Sequence, residues 1–171
     1  MPSEDKPTIR LIPSTNLCYV CGTDNAAGLH VQFVADGDHG SRASYTARAE
    51  HDGWPGLLHG GVTFALMDEA MAWALHFQGL FGVTARVETR FRQPVQAGTE
   101  LTIRAWTLGR RRRLIDARAE IRIKSEQKPL VAEANATMYL QKLAGSQTKG
   151  NQTRETKPMK RKFETHPSNR T

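Results

Sequence analysis

Two adjacent acidic residues, Asp68 and Glu69, lie in a strongly apolar stretch that begins directly after His59–Gly61. They are the only formally charged side chains among residues 53–85. A carboxylate in apolar surroundings costs several kcal/mol unless something compensates its charge. A glycine pair at a helix start exposes backbone N–H groups at the positive end of the helix dipole. A buried base and an electrophile-activating helix start together predict chemistry on a carbonyl group.

The element that must carry these residues is a helix over residues 62–78, with Gly79 in the position that stops it. Its apolar residues occupy nearly the whole circumference, which indicates a helix surrounded by other structure. The flanking segments alternate between polar and apolar residues or form short apolar runs, as strands do. The predicted strands cover residues 31–34, 42–49, 84–93, 100–108, 113–124 and 130–140.

Short, turn-like links join the last four predicted strands, which implies that neighbouring strands are antiparallel. The economical arrangement is an α+β fold in which a six-stranded antiparallel sheet wraps around one long central helix. In the strand over residues 84–93, the alternation places Ala85, Val87, Thr89 and Phe91 on one face. In the last strand, the even-numbered residues are expected to face inward.

The 171-residue chain is predicted to hold one domain over residues 18–141, an irregular arm over residues 1–17 and a basic disordered tail over residues 142–171. Residues 1–141 carry 16 Lys and Arg against 15 Asp and Glu, whereas residues 142–171 carry 8 against 2. The net charge of +7 therefore lies mainly in the tail. An almost neutral domain without an aromatic recognition motif makes a nucleic-acid partner unexpected.

Targeting signals are not evident in the sequence. Residues 1–10 are polar, so no secretory signal is predicted. No run approaches the roughly 18 apolar residues of a membrane-spanning helix. We therefore expect a cytoplasmic protein without a membrane partner.

Cys18 and Cys21 form a C-x-x-C pair ahead of Gly22 and a polar turn. A redox pair is expected between a strand and a helix, and a zinc site needs about four ligands. His30 and His39 are the nearest further candidates, but their spacing fits no common zinc template. Two reduced thiols without a metal is the favoured interpretation, and a zinc site is the weaker alternative.

The predicted elements and the motif His59-Gly60-Gly61, six residues, then Asp68 resemble the hotdog-fold thioesterases, most closely the phenylacetate-pathway type that acts on acyl-coenzyme A. The resemblance covers about residues 18–140. Three further segments support it: Cys18-x-x-Cys21-Gly22-x-x-Asn25-x-x-Gly28-Leu29, Trp54-Pro55-Gly56 and Phe91-x-x-Pro94-x-x-x-Gly98. Many relatives carry a polar residue, often Asn, shortly before the H-G-G motif to orient water. Here His51-Asp52-Gly53 occupies that stretch, which leaves the water-orienting residue unassigned.

The resemblance implies hydrolysis of acyl-CoA thioesters without a cofactor other than the coenzyme A of the substrate. Backbone N–H groups of Gly60 or Gly61 would polarise the thioester carbonyl, and Asp68 would act as general base or nucleophile. Glu69 either orients water or is a structural carboxylate satisfied by a neighbouring backbone group or arginine. His59 either fixes the loop before the helix through a hydrogen bond or takes part in acid–base chemistry.

The spacing of the two catalytic groups predicts a dimer. Gly60 and Asp68 are eight residues apart, which is about 12 Å along a helix. Each must come within about 3 Å of the reacting group, so one chain cannot easily supply both. We expect a two-fold homodimer with active sites shared between chains, or a dimer of such dimers, which is also the arrangement of the family.

Substrate-binding residues are predicted in two groups. The apolar candidates for an acyl pocket, which would suit a medium-to-large apolar or aromatic acyl group, are Trp54, Leu58, Met71 and Phe81. At a predicted hairpin, Arg110, Arg111 and Arg112 either form a solvated turn or bind the phosphates of coenzyme A.

Two other functions are compatible with the same fold. A non-catalytic module that binds or senses acyl-CoA is the main alternative, because a fold does not determine one function. An enoyl-CoA hydratase is disfavoured, since His76 follows Asp68 at a spacing unsuited to that reaction.

Overall fold

The structure is a computed structural model that describes residues 16–141. The predicted tail over residues 142–171 and nearly all of the predicted arm over residues 1–17 lie outside the described residues. Within residues 16–141, no helix is long and apolar enough to cross a membrane.

Along the chain, four strands precede one long helix and four strands follow it. The helix is α1 (Gly60–His76), and a single 3-10 turn (Ala49–His51) precedes the third strand. The strands are β1 (Val34–Ala35), β2 (Gly40–Thr46), β3 (Asp52–Trp54), β4 (Leu57–Leu58), β5 (Gly82–Phe91), β6 (Glu100–Arg111), β7 (Leu114–Ile123) and β8 (Leu130–Leu140).

Six of the strands form one antiparallel sheet in the order β1-β2-β6-β7-β8-β5, and α1 packs against it. This arrangement confirms the predicted α+β fold with a six-stranded antiparallel sheet and one long helix. The remaining two strands, β3 and β4, pair in a separate small hairpin that the sequence did not predict. Because β3 and β4 have only three and two residues, they are too short to show a period of two.

The core lies between α1 and the sheet. Six helix residues are completely buried: Leu66, Met67, Ala70, Met71, Ala74 and Leu75. Opposite them, β7 and β8 present small residues on the inner face, namely Ala117, Ala119, Ala132, Ala134 and Ala136. These alanines let the helix approach the sheet closely, so the larger helix side chains fill the space. Each fully buried Leu or Met contributes about 1.5–3 kcal/mol to the stability of this packing.

A β-bulge in β5 changes the predicted inner face of that strand. The pairing of β5 with β8 shifts between Thr84 and Arg86, which leaves Ala85 unpaired and exposed. Thr84 therefore takes the inner position that the alternation assigned to Ala85. Beyond the bulge the prediction holds, because Val87 and Thr89 pair with inward-facing alanines of β8.

Three smaller differences have equally local causes. The first strand is Val34–Ala35 and begins later than predicted. The N–H of Val31 donates a hydrogen bond to the carbonyl of Val20 and not to a neighbouring strand. A second bulge, between β7 and β8, buries Val131 in addition to the even-numbered residues. β6 extends three residues beyond its predicted end, since the hairpin to β7 is tighter than expected.

β5 is an edge strand of the sheet. It is ten residues long, and no strand within residues 16–141 pairs with its outer edge. Long unpaired edges are surfaces to which another chain can add a strand.

Candidate active site

His59 caps the start of α1 and determines which backbone donor is open. The N–H of Gly61 donates to His59 Nδ1 at 2.8 Å, and the N–H groups of Val62 and Thr63 donate to the His59 carbonyl at 3.0 and 3.1 Å. Because Nδ1 is an acceptor here, the neutral ring carries its proton on Nε2. Within residues 16–141, the N–H of Gly60 has no partner. Gly60, and not Gly61, therefore offers the helix-start donor.

An open cleft of about 330 Å³ borders this donor. We call it the Gly60 cleft, and its lining includes Leu58, Gly60, Thr63, Phe91 and Val131. A Cβ at Gly60 would lie 3.7 Å from the Phe91 ring, so the end of β5 lies against the helix start. An anionic oxygen in this cleft would meet a free N–H at the positive end of the helix dipole.

Asp68 lies half-buried on the side of α1 that faces β5. Its Oδ1 accepts a hydrogen bond of 2.5 Å from Thr84 Oγ1, in the inner position created by the β5 bulge. The bond fixes the carboxylate beside the unpaired edge of the sheet. Asp68 is therefore oriented by a residue from a different element.

Glu69 is satisfied by side chains that the sequence analysis did not consider. Its Oε1 accepts from Trp73 Nε1 at 3.0 Å and from Cys21 Sγ at 2.9 Å. The partners are neither backbone groups nor an arginine. Burial and the adjacent Glu69 carboxylate together raise the pKa of the Cys21 thiol well above its ordinary range. Asp68 and Glu69 thus have separate environments. Asp68 lies at the sheet edge, and Glu69 lies against the turn at residues 18–22, which we call the N-terminal cysteine turn.

Thr89 carries a buried hydroxyl oxygen that has no hydrogen-bond partner within the described chain. It lies on the helix-facing side of β5, opposite Ala134 of β8. Buried polar atoms are rarely left unpaired without a reason such as a functional role or a bound water.

The segment that replaces the family's water-orienting residue is engaged only in part, because Asp52 Oδ1 is buried without a hydrogen-bond partner within the described residues. His51 Nδ1 shares a hydrogen bond of 2.5 Å with the Tyr45 hydroxyl, and Asp52 Oδ2 accepts from the N–H of Gly56 at 2.7 Å. Burial and the nearby Arg48 lower the pKa of His51, so its ring favours the neutral form. Neither bond directs a group towards Asp68 of the same chain.

The predicted acyl-pocket residues lie in different places. Leu58 lines the Gly60 cleft, whereas Met71 is completely buried in the core and Trp54 is 78% exposed on the β3–β4 hairpin. Because α1 is apolar all round, hydrophobicity alone could not separate a core position from a pocket position. Phe81 lines a second, mostly apolar cleft of about 190 Å³, the Phe81 cleft, together with Glu69, Ala72, Trp73, His76 and Gly82.

The predicted phosphate-binding arginines lie together at the end of the β6–β7 hairpin. Arg110 and Arg111 end β6, and Arg112 occupies the turn with a φ of 56°. All three are exposed, whereas the neighbouring Arg113 stacks over the Tyr139 ring at 4.7 Å. Through the pairings of β6, β7, β8 and β5, this hairpin lies at the Gly82 end of β5.

One chain therefore does not bring all of these groups together. The Gly60 cleft lies at the Phe91 end of β5, and the Phe81 cleft and the arginines lie at the Gly82 end. A ten-residue strand spans about 30 Å, so the two sets of groups are far apart on the same chain.

Comparison with known proteins agrees with this architecture. The thioesterase superfamily model matches residues 55–130, which include the helix start, all of α1 and the first strands after it. The E. coli PaaI protein, from the phenylacetic acid degradation operon, superposes with a TM-score of 0.60 at 25% identity, over 66% of this chain and 80% of that chain. This chain has the hotdog fold, and it is similar to PaaI and to other proteins of the thioesterase superfamily.

Further solved structures share this hotdog fold. The TT0310 protein from Thermus thermophilus has a TM-score of 0.59 at 26% identity, over 65% of this chain and 92% of that chain. A hypothetical thioesterase from Streptococcus pneumoniae, solved with coenzyme A, has a TM-score of 0.61 at 19% identity, over 66% and 87% of the two chains. Among curated protein sequences, no significant match was found.

The sequence analysis missed the buried, unpartnered hydroxyl of Thr89 and the contacts of three other residues of this hotdog chain: Thr84, Trp73 and Cys21. Thr89 alternates with charged residues like many strand threonines, Thr84 lies between Val83 and Ala85, and a bulge gives no clear sequence signal. The C-x-x-C motif was visible, but its contact with Glu69 joins residues 48 positions apart and depends on the tertiary fold.

Proposed function

We propose that this hotdog protein hydrolyses acyl-CoA thioesters at two sites, each shared between two copies of the chain. In each site, Gly60 of one copy would polarise the thioester carbonyl, and Asp68 of the other would act as general base or nucleophile. The observation that carries the proposal is the geometry of β5, an unpaired edge with the open helix start at one end and Asp68 held near the other.

Pairing of two β5 strands about their midpoint would assemble such a site. Thr84 of one copy would lie opposite Thr89 of the other, because each residue is two positions from an end of the strand. Thr84 holds Asp68, and Thr89 lies two residues from Phe91 beside the helix start. The two catalytic groups would then be separated by roughly 7 Å along the strands, compared with roughly 12 Å along α1 of one chain.

The reaction follows from these groups. The Gly60 N–H would stabilise the negative charge that develops on the carbonyl oxygen. The Asp68 carboxylate would either take a proton from an attacking water or attack the carbonyl carbon to form an anhydride that water then cleaves. Either route breaks the C–S bond and releases the free acid and the thiol of coenzyme A.

The unpartnered hydroxyl of Thr89 would complete this site. In the paired arrangement it lies beside Asp68 of the other copy, where it can hold the attacking water. This assignment supplies a candidate for the water-orienting group, which the sequence analysis left unassigned.

The substrate would extend across both copies. The Phe81 cleft of one copy would adjoin the Gly60 cleft of the other, because β5 pairing brings opposite strand ends together. An apolar cavity of about 150 Å³ is large enough to hold a benzene ring, so the Phe81 cleft suits an aromatic or medium-length acyl group. The exposed arginines Arg110–Arg112 lie at the same end and would bind the phosphates of coenzyme A.

The test is thiol release from a panel of acyl-CoA substrates of short, medium, long and aromatic type, with four variants. Asp68→Asn should lower kcat by about 10²- to 10⁴-fold. Gly60→Pro should lower kcat/KM by about 10²- to 10³-fold, because proline removes the open N–H. Proline is well tolerated at the first helical position, and His59 already has the extended conformation that precedes proline. Gly60→Ala keeps the N–H and is the matched control.

The fourth variant, Glu69→Gln, separates the two adjacent carboxylates. Loss of turnover in Glu69→Gln with full activity in Asp68→Asn would move the chemistry to Glu69. Tight binding of acyl-CoA without turnover of any substrate would refute hydrolysis and favour the alternative, a binding or sensing module.

A further inference from the structure

Three potential metal ligands from two distant parts of the chain meet beside α1. The Sγ atoms of Cys18 and Cys21 and a carboxylate oxygen of Glu69 all lie within 4.8 Å of one another, and all three residues are half-buried. We propose that these three side chains bind a divalent metal ion of the zinc class, with water as the fourth ligand. The ion would fasten the N-terminal cysteine turn to the central helix.

The ligand atoms lie close enough together to form a tetrahedral site after a small adjustment. With typical Zn–S and Zn–O distances, neighbouring ligand atoms in a tetrahedron are about 3.5–3.8 Å apart. The present separation of 2.9 Å between Cys21 Sγ and Glu69 Oε1 is that of a hydrogen bond. Binding of the ion would release the thiol protons of Cys18 and Cys21 to solvent and would move Cys21 Sγ and Glu69 Oε1 apart by about 0.6 Å. A shift of this size is within reach of a side-chain rotation.

The turn positions Cys18 as a ligand. The N–H groups of Val20 and Cys21 point at Cys18 Sγ, at 3.4 and 3.5 Å. These contacts hold the sulfur atom in place beside Cys21. Gly22 makes the tight turn possible, since a Cβ there would lie only 2.2 Å from the carbonyl oxygen of Asn16.

A residue of the same helix holds the third ligand, Glu69, in position. Trp73 Nε1 donates to Glu69 Oε1 at 3.0 Å and fixes the carboxylate towards the turn. Hydrogen bonds of this kind from outside the ligand set hold metal ligands in place. Two soft sulfur ligands together with one carboxylate favour zinc over magnesium or calcium, which prefer oxygen ligands alone.

The same contacts argue against a disulfide switch. A disulfide between Cys18 and Cys21 would make no use of the Glu69 carboxylate. A metal ion uses all three groups, because it replaces the proton with a charge that the carboxylate and the thiolates can share.

The experiment is cobalt and zinc binding to the full chain, purified without a histidine tag under reducing conditions. The chain has only two cysteines, so any thiolate-to-cobalt charge-transfer absorption reports this site alone. We expect one ion per chain, with the cobalt band displaced by zinc. The Cys18→Ser and Cys21→Ser variants should lose the band, and Glu69→Gln should weaken zinc binding by more than about tenfold. Asp68→Asn is the matched control, because it removes the adjacent carboxylate but no ligand.

Three results would overturn the proposal. They are absence of a thiolate–cobalt band in the wild-type chain, zinc affinity unchanged in Glu69→Gln, and a Cys18–Cys21 disulfide that persists under reducing conditions. Because the main measurement uses the wild-type chain, it does not depend on the folding of the serine variants. The result is independent of the proposed hydrolysis, since thiol release from acyl-CoA is not a readout.

Discussion

At the scale of single residues, the two adjacent carboxylates have different surroundings because they lie about 100° apart around α1. Asp68 is held by Thr84 on the edge strand, and Glu69 is held by Trp73 and Cys21. The sequence indicated that both were buried in an apolar helix. Their partners could not be predicted, because Thr84 reaches Asp68 only through a bulge and Cys21 is distant along the chain.

The contact between Thr84 and Asp68 gives a prediction about positioning. Thr84→Val removes the donor with almost no change of volume and should lower kcat by about tenfold to a hundredfold, the effect expected for losing a hydrogen bond to a charged group. KM should change little, since Thr84 acts through Asp68. Steady-state kinetics on the best acyl-CoA substrate provide the measurement.

The control for that prediction is Thr84→Ser, which keeps the hydroxyl and should retain most of the activity. Equal losses in the valine and serine variants, or a valine effect confined to KM, would show that Thr84 does not position the carboxylate.

At the scale of elements, His59 performs the capping task that Ser, Thr, Asn or Asp usually performs at a helix start. Because His59 Nδ1 accepts the hydrogen bond from the Gly61 N–H, the backbone N–H that stays open is the one of Gly60. The H-G-G motif thus combines a cap and an open N–H in three consecutive residues. The sequence predicted a helix start here, but it did not indicate which glycine would remain open.

The cap gives a prediction about stability. His59→Ala should lower the free energy of unfolding by about 0.5–2 kcal/mol, because it leaves the N–H of Gly61 without its acceptor. His59→Asn supplies an alternative cap and should restore most of that loss. Urea unfolding of the three proteins is the measurement. Equal stability of the wild-type and alanine proteins would mean that water replaces the cap without cost.

At the scale of the whole molecule, the proposed sites require two chains. One chain separates the Gly60 cleft from the Phe81 cleft by nearly the length of β5, and the unpaired edge of that strand is where a second copy would join them. The proposed dimer therefore explains both the unpaired edge and the separation of the groups.

Mixing inactive variants tests the shared site directly. One chain of a mixed dimer carries Asp68→Asn and the other carries Gly60→Pro. Because each proposed site takes Gly60 from one chain and Asp68 from the other, one site would have both defects and the other site would be intact. After random exchange of subunits at equal concentration, we expect about one quarter of the wild-type rate. The rate of thiol release after co-refolding, compared with each variant alone, is the measurement.

A control is needed to show that the chains have exchanged. Native mass spectrometry should detect the mixed dimer at about half of the total. If mixed dimers form and the mixture is still as inactive as its components, each site lies within one chain and the proposed arrangement is wrong.

The sequence by itself determined the buried helix and the order of the six strands of the main sheet along the chain, because periodicity is a local property that burial imposes on helices and on strands of sufficient length. It also located Gly60, Asp68 and Glu69 on one helix. The tertiary structure alone decided which groups meet: Asp68 with Thr84, Glu69 with Cys21, and Arg110–Arg112 at the end of the sheet remote from Gly60. These contacts depend on a β-bulge, on strand order and on the path of the N-terminal turn, which are set by packing between distant segments and not by local spacing.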